Sequence, residues 1–128
     1  MNSIHARASL DEAELAASVL ARMATDLSMI MDREFVVEDV RVERRTQRPV
    51  GGSLVHISFK LGIEVGGRSR QGCLLVPLPD AIALAAFLMM LPDGEVAQER
   101  QRTELDGPFK EALLEVGKFL AGACDSVL

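Results

Sequence analysis

The sequence has no tryptophan, no tyrosine and only five phenylalanines. That removes the usual stacking platforms for bases and sugars. Positive charge is also in deficit, with 14 Lys and Arg against 19 Asp and Glu and a net charge of −5. An acidic balance argues against non-specific nucleic-acid binding, which depends on neutralising phosphates. Cysteine is scarce: Cys73 and Cys124 show neither metal-ligand spacing nor a repeated pattern. Both sit among apolar neighbours and are expected to be small core residues rather than ligands or a disulfide. Long apolar runs are missing too. The longest, Ala81 to Leu91, is eleven residues, too short to span a bilayer. The opening stretch MNSIHARASLDEAE carries no apolar h-region, so a secretory leader is not expected and a cytoplasmic, membrane-free protein is. There is no phosphate-cradling glycine-rich loop with lysine, no metal-ligand cluster and no GxSxG elbow, so neither cofactor nor metal is expected.

What is present reads as one domain over residues 1–128, long enough for a real core, with residues 1–8 as a flexible lead-in. Ser9-Leu-Asp-Glu12 has capping-box spacing. The helix it opens is expected to run to Met31, with Leu15, Val19, Leu20, Met23, Leu27 and Ile30 as its buried stripe. Phe35 to Glu43 is rich in β-branched residues and predicts a first strand, with an irregularity at Glu38-Asp39 where the alternation changes phase. Arg44, Arg45 and Arg48, then Pro49 and Gly51-Gly52, predict a basic hairpin loop. The clearest strand follows: Val55, Ile57, Phe59, Leu61, Ile63 and Val65 alternate with His56, Ser58, Lys60, Gly62 and Glu64. Gly66-Gly67 turns the chain into a third strand, Ser69 to Val76. Asp80 is placed to cap an apolar helix reaching Leu91, which should be sandwiched between other elements. Glu95 to Glu104 is a short exposed helix or a loop. Pro108 then opens the last helix. The expected class is α+β, an antiparallel three-stranded sheet with flanking helices in the order α-β-β-β-α-α. Strands and crossover helices do not alternate, which disfavours a doubly wound parallel sheet.

The last helix, Phe109 to Asp125, carries the functional candidates. At 3.6 residues per turn it gathers Phe109, Ala112, Leu113, Val116, Phe119, Leu120 and Ala123 on one side. The opposite stripe is Glu111, Glu115, Lys118, Gly122 and Asp125. Two like charges one turn apart repel, and a lysine three residues on offsets them. A helical glycine costs roughly 1 kcal/mol against alanine, which points to close approach at Gly122.

The segment Glu111-Ala-Leu-Leu-Glu115-Val-Gly-Lys118-Phe-Leu-Ala-Gly122 resembles the signature helix of the CheC/CheX/FliY family of chemotaxis phosphatases. That signature is an acid or serine, three residues, a glutamate, two residues, an asparagine and a glycine soon after. Glu111, Glu115 and Gly122 match it, and Lys118 stands where the asparagine belongs. The family is built from two pseudo-repeated helix–three-strand–helix units, and this chain resembles the first unit plus the opening helix of the second. The resemblance implies removal of a phosphoryl group from the aspartate of a response-regulator receiver domain. In that chemistry the glutamate pairs with a receiver lysine and the asparagine orients the attacking water. Positioning is most of what a protein adds to phosphoryl transfer. A lysine ammonium has three donors and no acceptor, so it cannot align that water as an amide does. In the first helix, Glu12 and Glu14 are followed at the third position by Leu15 and Ala17, so no glutamate–asparagine pair stands there either.

The expected function is therefore a non-catalytic CheX/CheC-like signalling module. It would bind a receiver domain or another signalling protein through Glu111, Glu115, Lys118 and Gly122, and form a homodimer through an open sheet edge. A phosphatase with a variant site is the alternative, in which Lys118 stabilises charge on the transferring group. A weaker alternative rests on Arg41, Arg44, Arg45 and Arg48. Their RxxxR spacing resembles the opening motif of PilZ cyclic-di-nucleotide receptors, but the companion Asp/Asn-x-Ser-x-x-Gly motif is not met.

Overall fold

A computed structural model describes residues 2–43, 55–65 and 67–128, with the backbone alone for residues 2–11 and Val65. Six elements follow in chain order: α1 (Asn2–Met31), β1 (His56–Val65), β2 (Arg68–Pro77), α2 (Leu78–Leu88), α3 (Asp93–Glu99) and α4 (Gly107–Val127). The class is α+β with an antiparallel sheet, which among the described residues has two strands. The basic hairpin loop expected from Arg44 to Gly52 lies outside the described residues.

α1 starts seven residues ahead of the Ser9 capping position. The stretch from Asn2 to Ala8 has no proline or glycine to stop a helix and three good helix formers in Ala6, Arg7 and Ala8. Its buried side chains are Met23, Leu27 and Met31, with Val19, Leu20 and Ile30 partly covered. Leu15 is instead 41% exposed, because burial on this helix is confined to its C-terminal half. Asp32 ends α1 in the left-handed region at φ 51°, and Arg33 N–H reaches back to Ser28 O at 3.3 Å.

β1 and β2 pair from His56 opposite Pro77 to Val65 opposite Arg68. Gly67, at φ 77°, makes the connecting turn. The alternation in β1 holds: Phe59 and Leu61 are buried, Ile57 and Ile63 partly so, and Ser58, Lys60, Gly62 and Glu64 are exposed. The register also corrects the expectation for Cys73. It faces Lys60 across the ladder, which puts it on the outer face, and its thiol is exposed. Cys124 is buried, as expected.

Residues 34–43 have no regular secondary structure, so the predicted first strand is not part of the described sheet. The chain leaving α1 is held on the helical layer instead. Phe35 N–H donates to Ser28 Oγ at 2.9 Å, and the Phe35 ring meets Phe87 of α2 edge-on with centroids 6.2 Å apart. Beyond it Val36 is 66% exposed.

α2 is buried along most of its length through Leu78, Ala81, Ile82, Ala83, Ala85 and Ala86. It touches α4, α3, α1 and both strands, the sandwiched position its composition predicts. Asp80 does not cap it. The helix begins at Leu78, with Pro77 as N-cap and Pro79 pre-set to helical φ in the first turn. The Asp80 carboxylate accepts a bond from Arg100 Nη2 at 2.8 Å. At the other end, Leu91 N–H bonds Ala86 O and Met90 N–H bonds Phe87 O, both at 3.0 Å. That pair of bonds is a Schellman motif, and its left-handed residue is Met90 at φ 58° rather than a glycine. The polar stretch after Pro92 forms α3, which turns Val96 into the core.

α4 is the element the others gather on: α1, α2 and β1 all pack against it. Asp106 is its N-cap, its carboxylate accepting from Phe109 N–H at 3.1 Å, and Pro108 lies in the first turn. Phe109, Ala112, Leu113, Val116, Leu120, Ala123 and Cys124 are buried. The apolar stripe of the sequence is therefore the core stripe, with Phe119 half-buried beside it.

A left-handed non-glycine residue costs about 1–2 kcal/mol, and Met90 is 62% exposed with little packing to lose. Met90→Gly is therefore expected to raise unfolding stability by about 1 kcal/mol, read from urea denaturation midpoints. A loss of stability would mean that the Met90 side chain anchors the turn.

Candidate functional site

The four residues singled out on α4 all reach the surface. Glu111, Glu115, Lys118 and Gly122 are exposed along the helix side that α1, α2 and β1 leave uncovered. Lys118 Nζ donates to Glu115 Oε1 at 3.0 Å, the i,i+3 pair anticipated from the spacing. Both side chains are more than half exposed, so the pair adds less than about 1 kcal/mol to stability. Its significance is chemical. The ammonium occupies one oxygen of the carboxylate that the resemblance assigns to docking, and offers no acceptor to a water.

Two features of this surface were not among the sequence candidates. Leu114 lies between Glu111 and Lys118 and is 69% exposed, an apolar side chain within a charged stripe. A helical wheel carries that signal, since Leu114 is three residues after Glu111 and four before Lys118. The second feature is a groove where α4 passes over β1. Ser58, Phe59 and Lys60 line it from the strand, and Leu114, Glu115 and Lys118 from the helix. No β2 residue lines it.

Gly117 lies in the groove where α4 meets Phe59 of β1. A Cβ at that position would lie 3.3 Å from Cδ1 of Phe59, tighter than ordinary van der Waals contact, so the absent side chain lets helix and strand close on each other. Gly122 was the glycine expected to serve close approach, and it does not: nothing lies within 4 Å of its would-be Cβ. Sequence spacing cannot tell which of two helical glycines faces a strand, because the answer depends on where Phe59 docks.

Among the described residues, no group of three or more His, Cys, Asp and Glu side chains is placed to hold a metal ion. No helix among them is long and apolar enough to cross a membrane. Cys124 lies beneath the far end of α4 with its thiol pKa raised, first by burial and then by the Asp125 charge, which disfavours the reactive thiolate. Of the arginine set, Arg41 is exposed with its Nε 3.5 Å from Asp39 Oδ2. Arg44, Arg45 and Arg48 lie outside the described residues.

No family model, curated protein or solved structure matches the chain.

Two outcomes follow. Gly122→Ala should gain about 1 kcal/mol from helix propensity, whereas Gly117→Ala should end about 1–2 kcal/mol less stable than Gly122→Ala because Phe59 has to give way. Thermal or urea unfolding of the pair measures the difference, and equal stabilities would remove the close-approach role of Gly117. Separately, a thiol reagent at neutral pH should label Cys73 rapidly and Cys124 only on unfolding, as peptide mapping of the labelled sites would show. Rapid labelling of Cys124 in the native protein would contradict its burial.

Proposed function

We propose that this protein is a non-catalytic signalling module of CheX/CheC-like type that docks a partner, such as a response-regulator receiver domain, on the exposed face of α4. Glu111 and Glu115 supply the carboxylates for a cationic group on the partner, Leu114 an apolar contact between them, and Lys118 the altered position. Gly122 keeps the end of the face low. The observation that carries this proposal is the pairing of Lys118 with Glu115 on an otherwise uncovered helix face beside an open groove. A phosphatase of this kind needs an acceptor to orient water at position 118, and an ammonium cannot supply one. The proposal takes the module to be cytoplasmic, with a third strand drawn from the part of Phe35–Glu43 beyond Phe35 and a homodimer formed through a sheet edge.

The test is the decay of phosphorylated receiver domains in the presence of the natural protein and of Lys118→Asn. No acceleration by the natural protein, with accelerated decay appearing in Lys118→Asn, is the expected result. Accelerated decay by the natural protein would make it an enzyme. Absence of any effect or binding with both proteins would remove the signalling role assigned to α4.

A further inference from the structure

Three features of the α4 outer face have no counterpart within the described chain. Leu114 is 69% exposed among charged residues. Gly122 lowers helix propensity by about 1 kcal/mol, yet nothing lies within 4 Å of its would-be Cβ. Glu111 has no ion-pair partner among the described residues, while Lys118 uses only one of its three donors on Glu115. An exposed leucine, a low glycine and two charges with bonding capacity left over, all on one stripe, suit contact with another helix.

The order of these residues selects which helix. Glu111 and Lys118 are seven residues apart, two turns, and so share one side of α4. Laid antiparallel on a copy of itself, the stripe sets Glu111 of each copy against Lys118 of the other, related by a two-fold axis. That axis passes between Leu114 and Glu115, and the two Leu114 side chains meet beside it. It also sets Gly122 of each copy opposite Gly107 of the other, where again nothing lies within 4 Å of a would-be Cβ. Glycine against glycine at both ends lets the helices stay close over about four turns, at a shallow crossing of roughly 20°. Charge favours a copy as well. The chain carries a net charge of −5, so two copies repel across most of their surface and need a patch where the signs cancel. Lys60 and Lys118 line the groove together with Glu111 and Glu115, and these four charges balance.

We propose that the outer face of α4 binds a second copy of this chain, antiparallel about a two-fold axis between Leu114 and Glu115. Glu111 of each copy pairs with Lys118 of the other, and each Lys118 bridges that carboxylate and Glu115 of its own helix. The contact lies on α4 and is separate from any made by a sheet edge. It does not rest on the signalling reading, and it bears on that reading in one way: a second copy and a docked partner cover the same face and exclude each other.

Sedimentation equilibrium of the full chain at physiological salt tests this. The samples are the natural protein, Glu111→Lys, Lys118→Glu and an equimolar mixture of the two variants. Both positions are exposed, and circular dichroism checks that each variant keeps its fold. The natural protein should show a concentration-dependent equilibrium between monomer and dimer. Each variant alone sets like charge against like at both ends of the axis, so its dimer should be roughly tenfold weaker. The mixture restores both pairs, and its heterodimer should regain the natural affinity. Net charge alone predicts otherwise, since Glu111→Lys moves the acidic chain toward neutrality and would ease association. A natural protein that stays monomeric at its highest soluble concentration would overturn the inference. So would a dimer that both variants leave unchanged, as one built on a sheet edge would be, or the absence of recovery on mixing. Receiver decay assayed at concentrations where the chain is monomeric reads the signalling role alone, so the two proposals can fail separately.

Discussion

The contact on which this structure turns is the closure of Gly117 on Phe59. α4 carries most of the large buried side chains of the C-terminal half, and α1, α2 and β1 each reach the core by packing on it. Of these three neighbours, β1 is the one that approaches α4 at a glycine. Phe59 Cδ1 stands 3.3 Å from where a Cβ at 117 would be, so an added methyl would push the ring back by a few tenths of an ångström. Interiors pack at crystal-like density, so even a single methyl at this junction is felt. The alanine-rich run of α2 answers the same geometric demand on another side of α4, where Ala81, Ala85 and Ala86 are fully buried.

Around that core the surface is stitched by arginines that each do two things. Arg33 lies over the Phe87 ring at 4.2 Å from its centroid while its guanidinium pairs with Asp93. Arg102 sits 5.2 Å from the Phe109 ring and pairs with both Glu99 and Asp106. In both cases the planar cation lies over an aromatic ring and ties the end of one helix to the start of another, a use for which lysine has the wrong shape. Among the described residues, no such arginine lies over the α4 outer face, which carries Glu111, Leu114 and the Glu115–Lys118 pair.

Much of the molecule was legible in the sequence, and the reasons are local. The alternation from Val55 to Val65 fixes which side of β1 is core, and the 3.6-residue stripe from Phe109 to Ala123 fixes the buried side of α4. Both patterns survive because tertiary packing agrees with them. Where the expectation failed, the deciding partner was remote. Ser9 looks like a cap only if nothing upstream is helical. Asp80 looks like a cap only if Pro77-Leu-Pro79 is not already helical. Cys73 has apolar neighbours in the chain but Lys60 across the ladder. Phe35 opens a segment of strand composition, yet its ring finds Phe87 and its amide finds Ser28, and those contacts hold it on the helical layer. At the candidate site the charged residues were readable from spacing, while Leu114 and Gly117 gained meaning only once the helix lay on β1.

The packing of α1 against α4 joins elements separated by the 75 residues 32–106. A β-hairpin such as β1–β2 can form from neighbouring residues in microseconds, but its apolar face is not fully covered until α4 joins α2 on it. α4 in turn lacks one of its flanks until α1 closes the longest loop in the molecule. Loop-closure entropy must be met before that contact gives anything back, and proteins dominated by such distant pairings fold slowly. During synthesis, α1 would leave the ribosome with Met23, Leu27 and Met31 uncovered and hold them so until nearly the whole chain had emerged. The stretch between is then a period of exposure in which a chaperone, or a second nascent copy, meets the apolar side of α1 before α4 does.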